Sequence, residues 1–335
     1  MGKEAKLNPL YIFQDGFLRR KDNTLVLEGE EKKKYIPVEN LLEIKVFGEM
    51  DINKRALEFL STHQIPVHFF NRYGHFIGSF VPIQHNTNGS TILKQAEFYS
   101  DSQKRLGIAR KFVSGAMENM GAVCSYYSRR GKTLGITAAE VKVAKHQVEK
   151  SNTISELMAM EGQFREKYYA QFDRILENED FQMEKRTRQP PQNHLNTLIS
   201  FGNSVLYSTV LTEILKTPLD PRIGFLHSTN FRRHSLNLDI AEIFKPIIVD
   251  RSIFQVVNRK QIGPEHFRGV ENGIYLNQEG KKEFLKAMED HLRMTIHHER
   301  LKRKVSFKSL IRHEGYKLIK HMIENREYDP YKLGA

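Results

Sequence analysis

The chain has 335 residues, a length that favours two domains, and it carries a formal net charge of +12. Apolar residues make up 39% and charged residues 27%, proportions that exclude an intrinsically disordered chain. No apolar run approaches the roughly 18 residues of a membrane-spanning helix, and the first residues, MGKEAKLNP, lack the apolar stretch of a signal peptide. Because Cys124 is the single cysteine, an intrachain disulfide and a cysteine-based zinc site are excluded, and we expect a cytoplasmic protein with no membrane partner.

The first eighty residues are predicted to form a small β-sandwich with one helix. Short β-rich segments alternate with turn residues such as Asp22-Asn23, which tolerate positive φ. NKRALEFLSTHQ, with Leu57 and Leu60 three residues apart, predicts an amphipathic helix over 53–64. The predicted strands are 11–14, 17–20, 24–28, 34–38, 41–48, 66–71 and 75–80. We expect this domain to span residues 1–82.

A polar linker over 83–91 is expected to separate the sandwich from a helical remainder. HNTNGST is rich in turn formers and has no apolar periodicity. Beyond it the apolar residues recur at helical spacing, so 92–335 is predicted to be a larger all-α domain that carries the catalytic, metal-binding and DNA-binding residues. The predicted helices are 92–119, 137–150, 153–186, 192–216, 233–245, 277–303 and 306–325. The predicted fold class is therefore α+β with two domains.

The positive charge is concentrated after the first domain. Residues 1–90 carry twelve Lys and Arg against eleven Asp and Glu, whereas 291–320 carry nine Lys and Arg against two Glu. A solvated helix face is the ordinary explanation of one such run. Four histidines and the aromatic residues Phe307 and Tyr316 are mixed with it, so a surface that faces phosphate groups is an equally good interpretation.

Glu161 lies where packing alone favours an apolar residue. Ile154, Glu161, Tyr168 and Ile175 are each seven residues apart, which places them nearly on one line along a helix. A buried carboxylate needs a cation, a proton or several hydrogen-bond donors, because burying an unpaired charge is costly. Glu161 is therefore a candidate site residue. The alternative is a glutamate at the edge of the apolar stripe that pairs with an arginine.

Further candidates lie on either side of a turn in the second half of the helical domain. His227 ends the apolar stretch LDPRIGFLH, where a lone histidine is more often a satisfied core residue than a ligand. SLNLDIAEIFKP (235–246) then predicts an apolar helix that carries Asp239 and Glu242 three residues apart, hence on one side. Two carboxylates on so apolar a helix indicate that this side meets a cation.

One imidazole and one or two carboxylates from separate segments would make a hard, open metal site. Such a site suits Mg²⁺ or Mn²⁺, with water and phosphate oxygens as the remaining ligands. The ion could polarise a phosphoryl oxygen and activate an attacking oxygen. Spacing alone leaves the ligand set open, because none of the three segments is a self-contained motif.

Longer stretches of the chain resemble a known family. MEG on a helix, LDPRIGFLH and RRHSLNLDIAEIFKPIIVDR resemble the CRISPR-associated integrases that capture new spacers, the first-numbered Cas proteins, also called CRISPR-associated endonucleases. QDGFLRRKDNTLVLE, IPVENL and HFFNRYGHFIGSF resemble that family's amino-terminal sandwich. The resemblance covers nearly the whole chain, and the amino-terminal half is closest in style to subtype I-B.

The resemblance implies a catalytic metal site formed by Glu161, His227 and Glu242, with Mg²⁺ or Mn²⁺ as the cofactor. Asp239 matches a second acidic position of the family motif, in or beside this site. Arg233 matches an arginine that faces DNA, and Arg232 adds charge where the family often has glycine. The basic run supplies the other expected DNA contacts, Arg300, Lys302, Arg303 and Lys304, on basic helices.

The family also implies partners and a reaction. The partners are double-stranded DNA (protospacer and CRISPR repeat), a second copy of the chain bound through the sandwich, and a small second-numbered Cas protein with a ferredoxin-like fold. We therefore expect a metal-dependent DNA endonuclease and integrase that inserts spacers into a CRISPR array by attack of a 3′ hydroxyl on a phosphodiester. Two alternatives remain: a structure-specific nuclease that hydrolyses DNA, and a non-catalytic DNA-binding scaffold.

Overall fold

The chain folds as two compact units that divide between residues 85 and 86. The structure, a computed structural model, describes residues 8–30, 32–83, 88–229, 234–298 and 302–334. The first unit is rich in strands and the second in helices, which confirms the predicted fold class. No helix within these five ranges is both long and apolar enough to cross a membrane.

The amino-terminal unit contains two four-stranded sheets and one helix. Its elements are β1 (Asn8–Ile12), β2 (Gly16–Lys21), β3 (Thr24–Glu28), β4 (Lys33–Ile36), β5 (Leu41–Val46), β6 (Met50–Ile52), α1 (Lys54–Thr62), β7 (Val67–Phe70) and β8 (Phe76–Phe80). One sheet has the order β1-β5-β7-β8, with β5 parallel to both of its neighbours. The other has the order β4-β3-β2-β6, in which β2 and β3 form a hairpin.

One apolar core lies within this unit. Leu18 and Leu25 from one sheet, Ile44 and Val67 from the other, and Leu60 of α1 are all fully buried in it. Apolar residues of both sheets face this core, which is the arrangement of a β-sandwich. Strand β6 is not among the predicted strands, because three residues are too few to show alternation.

The second unit is built from ten helices in its described part and two small hairpins. Its helices are α2 (Gly89–Ser100), α3 (Ser102–Ser128), α4 (Ala138–Lys150), α5 (Ile154–Tyr169), α6 (Phe172–Leu176), α7 (His194–Ile214), α8 (Ser235–Lys245), α9 (Arg251–Asn258), α10 (Gln278–Arg293) and α11 (Phe307–Glu324). Its strands are β9 (Phe267–Val270), β10 (Gly273–Leu276), β11 (Thr295–His298) and β12 (Arg303–Ser306). Nearly all of α7 and α8 is buried, so these two helices form the centre of the unit.

Local capping explains two differences from the predicted helices. The predicted helix 92–119 is two helices, because Asp101 accepts hydrogen bonds from the amides of Gln103 and Lys104 and starts a new helix there. Asn88 caps α2 in the same way, so that helix begins inside the predicted linker. The predicted helix 153–186 is also interrupted, since α5 ends at Tyr169 and α6 is a separate short helix.

The basic run is the largest correction to the predicted helices. The predicted helix 277–303 ends at Arg293, and β11 and β12 then pair as an antiparallel hairpin. Thr295, Ile296 and Val305 supply the β-branched side chains that favour strands over helix. The second unit is therefore helical with two hairpins, and Arg303 and Lys304 lie on a strand of one hairpin and not on a basic helix.

A π-helical turn joins α8 to α9. Pro246 follows the last residue of α8, and Pro246–Asp250 form the turn. Proline has no amide hydrogen to donate, so the regular helical hydrogen bonding is interrupted at this point. The turn is wholly buried and places the carboxyl of Asp250 in the interior.

Candidate active site

Polar side chains fix the loop that connects α7 to α8. Gln95 of α2 is buried and donates from Nε2 to the carbonyl oxygens of Asp220 at 3.0 Å and Ile223 at 2.7 Å. Its Oε1 accepts from the amide of Asp220 at 2.9 Å. Arg105 of α3 donates to the carbonyl oxygen of Phe225 at 2.9 Å. Because hydrogen bonds from α2 and α3 hold the loop backbone, residues 220–225 have a fixed conformation that does not depend on α8.

Gly224 allows this loop to approach the first turn of α8. A Cβ atom at Gly224 would lie 2.6 Å from the carbonyl carbon of Ser235 and 2.7 Å from the amide nitrogen of Leu236. A larger residue would therefore push the loop away from the helix. The amide of Gly224 donates to Oγ of Ser235 at 2.8 Å, and that hydroxyl donates to the carbonyl oxygen of Arg222 at 2.6 Å.

Asp239 of α8 is enclosed by the backbone of the same loop. Its Oδ2 accepts from the amides of Phe225 at 2.5 Å and Leu226 at 3.0 Å, and its Oδ1 accepts from the amide of His227 at 2.9 Å. The side chain is fully buried. The sequence predicts that the side of α8 with Asp239 and Glu242 meets a cation. Asp239 meets three backbone amides and the imidazole of His227, because the loop folds over the end of the helix, and it therefore lies beside the candidate site.

His227 is held by Asp239 in one orientation. Its Nδ1 donates to Oδ1 of Asp239 at 2.8 Å, which leaves Nε2 as the ring nitrogen for another partner. The side chain is 23% exposed, so Nε2 is not sealed in the core. Burial is the largest single influence and lowers the pKa of His227, but the hydrogen bond to Asp239 and the negative charges of Asp239 and Glu242 together outweigh it, so the pKa is raised overall. The charge of Glu242 also raises this pKa, so the two side chains lie within electrostatic range.

Glu161 and Glu242 are joined by one guanidinium group. Arg165, one turn after Glu161 on α5, donates from Nε to Oε1 of Glu161 and from Nη2 to Oε2 of Glu242, both at 2.5 Å. Lys245 donates to the other carboxylate oxygen of Glu242, also at 2.5 Å. The Arg165, Glu242 and Lys245 side chains are each less than 10% exposed, and Glu161 is 18% exposed.

The electrostatics of this group follow from its mutual ion pairs. Burial alone would raise the pKa of Glu242, but the Arg165 and Lys245 cations hold that pKa at about 2. Burial would lower the pKa of Lys245 and of Arg165, and the neighbouring carboxylates raise both above their usual values. Glu242, Arg165 and Lys245 are therefore all charged at neutral pH.

Arg165 and Lys245 are not among the predicted site residues. The signal for both is helical spacing, since Arg165 is four residues after Glu161 and Lys245 three after Glu242. Pairing with an arginine was the alternative explanation of Glu161, and that pairing is present. It does not exclude a catalytic role, because the same arginine also contacts a carboxylate from a different helix.

The donor set suits a divalent cation in its chemistry. Two carboxylates and an imidazole nitrogen are ligands that Mg²⁺ and Mn²⁺ accept. Across the described ranges, no three His, Cys, Asp or Glu side chains already surround one point as metal ligands. Arg165 instead lies between Glu161 and Glu242, where a cation shared by the two carboxylates would bind.

The predicted DNA-binding residues lie partly on the β11–β12 hairpin. Lys302, Arg303 and Lys304 are exposed at and after its turn. Lys302 has a φ of 50°, in the left-handed region. Arg232, Arg233 and Arg300 lie outside the described residues.

The sequence matches one protein family over most of its length. The family model described as "CRISPR associated protein Cas1" matches residues 10–290. A curated relative from Thermodesulfovibrio yellowstonii, named CRISPR-associated endonuclease Cas1 2, is 54% identical over 97% of this chain and 98% of its own length. A curated Cas1 endonuclease from Thermotoga maritima is 51% identical over 95% of this chain and 97% of its own length.

Solved structures share the fold. A Cas1 protein from Thermotoga maritima has a TM-score of 0.89 and 48% identity, with 97% of this chain and all of that chain covered. A casposase bound to its integration product has a TM-score of 0.87 and 19% identity, with 97% and 93% covered, and so shows a likeness of fold alone. The same holds for a chain of a Cas6-RT-Cas1–Cas2 complex, with a TM-score of 0.83, 21% identity, and 99% of this chain against 37% of that chain covered. The chain belongs to the Cas1 family, as the sequence predicts.

Proposed function

We propose that this Cas1-family chain is an enzyme, a DNA endonuclease and integrase that inserts short duplex fragments into a CRISPR array. Its curated relatives are named endonucleases, and a casposase of the same fold is seen with an integration product. The observation that carries the proposal is the joining of Glu161 and Glu242, from two helices, at one guanidinium, with His227 in electrostatic range of Glu242.

Glu161, Glu242 and Nε2 of His227 would hold a divalent cation, Mg²⁺ or Mn²⁺. When bound, this cation would stabilise the negative charge that develops on the phosphoryl oxygens. The role of Asp239 is to keep Nδ1 of His227 protonated, so that Nε2 faces the site as a lone-pair donor. The loop between α7 and α8, held by Gln95 and Arg105, keeps His227 at a fixed distance from α8. A metal site needs ligands that are positioned this accurately.

The reaction conserves the number of phosphodiester bonds. A 3′ hydroxyl of the incoming fragment forms a bond to the phosphorus of the recipient strand, and the bond from that phosphorus to the recipient's own 3′ oxygen breaks. The proton of the attacking hydroxyl is lost and the departing oxygen gains one. Because no bond to the protein forms, the chain needs no nucleophilic side chain, and its contribution is positioning and charge.

The test of the ligand assignment is Glu161→Ala and His227→Ala in an assay of strand joining on a repeat-containing plasmid. We expect each variant to lose joining by at least about 100-fold with Mg²⁺ or Mn²⁺, since each removes a group that stabilises transition-state charge. DNA binding, measured in parallel, should change little. Glu166→Ala, an exposed carboxylate on the same helix, is the matched control. Unchanged joining in either site variant contradicts the assignment, and products that are only hydrolysed identify a nuclease.

We also propose that the β11–β12 hairpin grips the DNA backbone. Three consecutive basic residues, Lys302 to Lys304, are exposed on it, and phosphate contacts need charge and reach more than a defined side-chain geometry. Replacing all three by alanine should reduce the slope of log affinity against log salt by about 2 to 3, since each phosphate contact contributes about 0.9. Alanine at the exposed triplet Lys32–Lys34 is the charge-matched control. An equal effect of both triplets would show that the hairpin has no special role.

We propose two protein partners for the same chain. One is a second copy of itself through the sandwich unit, and the other is a small second Cas protein with a ferredoxin-like fold. The family resemblance supports both, and a Cas1 chain of this fold is seen in a complex with Cas2. Sedimentation equilibrium of the full chain should give twice the chain mass, and addition of the second protein should increase it. A concentration-independent monomer contradicts the first partner.

A further inference from the structure

Two buried cations neutralise the two carboxylates at the candidate site. Arg165 contacts both Glu161 and Glu242, whereas Lys245 contacts Glu242 and lies over the ring of Tyr207 at 5.1 Å. Two negative charges thus meet two positive charges inside a mostly apolar unit. A divalent cation bound to the same carboxylates would leave two further positive charges with little water to solvate them.

Arg165 and a divalent cation therefore compete for the same oxygen atoms. The guanidinium uses one oxygen of Glu161 and one of Glu242, which are the two carboxylates that belong to different helices. A shared cation must contact both carboxylates as well. Lys245 competes less, because it contacts only Glu242 and does so at the other oxygen.

We propose that Arg165 is a positioning residue that holds Glu161 and Glu242 together in the metal-free protein and leaves them when a divalent cation binds. The proposal rests on the proposed function, since it takes Glu161 and Glu242 as cation ligands. As a consequence, Arg165 keeps the two carboxylates from repelling each other before the cation arrives. The need to displace the guanidinium also reduces the apparent affinity for the cation.

Asp250 provides a place for the displaced guanidinium. Oδ2 of Asp250 and Nη1 of Arg165 are both buried, and neither makes a close hydrogen bond among the residues the structure describes, although the hydroxyl of Tyr168 lies near the Asp250 carboxyl. The charge of Arg165 acts on Asp250, so the two groups are within electrostatic range. A rotation of the Arg165 side chain toward Asp250 would give both atoms a partner and keep the guanidinium paired with a carboxylate.

The experiment is a titration of the DNA-free full chain with Mn²⁺, followed by electron paramagnetic resonance, with Arg165→Lys as the variant. Lysine keeps the charge but has a single ammonium group that cannot bridge two carboxylates as the guanidinium fork does. We expect Mn²⁺ to bind Arg165→Lys at least about fivefold more tightly than wild type, because its competitor is weaker. Equal or weaker binding overturns the proposal.

Thermal unfolding gives an independent measurement. Arg165→Met leaves Glu161 and Glu242 without their shared cation, so we expect its melting temperature to fall without metal and to rise on addition of MnCl₂ by about 4 °C more than that of wild type. The matched control is Arg312→Met, which removes one of the two cations paired with the buried carboxylate of Glu213 elsewhere in the unit, the other being Lys216. Equal rises in the two variants overturn the proposal. If Arg165→Met does not fold, the titration of Arg165→Lys decides.

Two further variants separate the possible failures. Glu242→Gln should abolish Mn²⁺ binding, and retained binding overturns the proposed ligand set itself. Loss of binding in Glu242→Gln together with unchanged affinity in Arg165→Lys overturns only the role of Arg165. At pH 8, where the Asp250 carboxyl is ionised, Asp250→Asn should weaken Mn²⁺ binding several-fold, because the displaced guanidinium loses its receiving charge. Unchanged affinity in Asp250→Asn overturns the assignment of Asp250 as that receiver.

Discussion

Asp239 and Glu242 are buried carboxylates three residues apart on the same helix, but different kinds of partner satisfy them. Asp239 accepts hydrogen bonds from three consecutive backbone amides and from the ring of His227. Glu242 is bound by the long side chains of Arg165 and Lys245. Backbone amides cannot leave a carboxylate unless the loop unfolds, whereas a side chain can rotate away. The first carboxylate is thus a fixed part of the fold, and the second can change its partner.

Within one site, Asp239 is thus a structural charge, and Glu242 is a charge that can exchange its partners. Three backbone amides and one imidazole fill the acceptor positions of Asp239, although its residue type and its place on the helix suggest a ligand. A carboxylate held by side-chain cations can exchange them for another cation when those side chains rotate away. The kind of partner, more than the degree of burial, therefore indicates which acidic residues take part in binding.

The largest expected effect on stability is that of Asp239→Asn. The amide group keeps one acceptor but places a donor against backbone N–H groups, and the charge that balances His227 is lost. We expect the free energy of unfolding to fall by about 3 to 5 kcal/mol, as when one partner of a buried charged network is removed. Urea denaturation of the full chain measures it.

Asp220→Asn is the matched control for that variant, in the same loop. The Asp220 carboxylate is itself 9% exposed, but it accepts one backbone amide in place of three and its cation, Arg222, is 71% exposed, so its loss should cost less, about 1 to 2 kcal/mol. A loss in Asp239→Asn no greater than in the control would mean that the enclosed carboxylate is not a fixed part of the fold.

The next effect is a pH dependence at Asp250. Burial raises the pKa of Asp250 to about 7, against the lowering influence of the Arg165 cation. The folded protein therefore holds a proton that the unfolded chain releases near its ordinary pKa of 3.8, and stability falls as the pH rises between these two values. Asp250→Asn removes this dependence. Between pH 5 and pH 8, we expect the free energy of unfolding of the variant to rise relative to that of wild type by an amount on the order of a few kcal/mol.

Denaturation at pH 5 and pH 8 tests this expectation, with Asp220→Asn again as the control. The pKa of Asp220 is lowered, with its hydrogen bonds to Arg222 outweighing burial, so its contribution to stability is lost only as the pH falls toward and below 3.8. The control should therefore show no change relative to wild type between pH 5 and pH 8. If the difference in unfolding free energy between Asp250→Asn and wild type were the same at pH 5 and pH 8, the carboxyl of Asp250 would be solvated in the folded protein.

Gly224→Ala is expected to have the third largest effect. The new methyl group would lie within 3 Å of two backbone atoms of α8 and 2.8 Å from Oδ2 of Asp239. Backbone atoms cannot move aside singly, so the loop must shift, at a cost of about 1 to 3 kcal/mol. Chemical denaturation measures the cost, and the amide proton exchange of residues 225–227 should rise at the same time. Unchanged exchange would show that the loop accepts the methyl group without releasing Asp239.

The sequence predicts much of this architecture because local chemistry determines it. Alternating apolar residues and the Asp22-Asn23 turn specify the first strands, and apolar periodicity specifies α4, α7 and α11 to within a few residues. The predicted helices are wrong where a helix cap or the pairing of two strands determines the structure. Asp101 divides one predicted helix in two, and the β11–β12 pairing removes the end of another. Neither is visible in apolar periodicity.

The candidate site shows the same division. The positions of Glu161 and Glu242 on apolar helices indicate buried carboxylates, and helical spacing accounts for Arg165 and Lys245 as their neighbours. The contact between Arg165 and Glu242 spans 77 residues, so no local pattern predicts it. The enclosure of Asp239 likewise depends on how a distant loop folds over its helix, which is why the residue resembles a ligand in the sequence alone.

The smallest expected effect, Gly162→Ala, tests the exchangeable side of the site. Gly162 follows Glu161 on α5, is exposed, and has no atom within 4 Å of an added Cβ among the described residues. Alanine favours helix over glycine, so we expect the variant to be more stable by about 0.5 to 1 kcal/mol in urea denaturation. Gly224→Ala makes the identical chemical change next to the enclosed loop and should have the opposite sign. If both substitutions were destabilising, α5 would be as tightly constrained beside Glu161 as the loop is beside Asp239. The contrast between the fixed carboxylate and the exchangeable one would then not extend to the backbone around them.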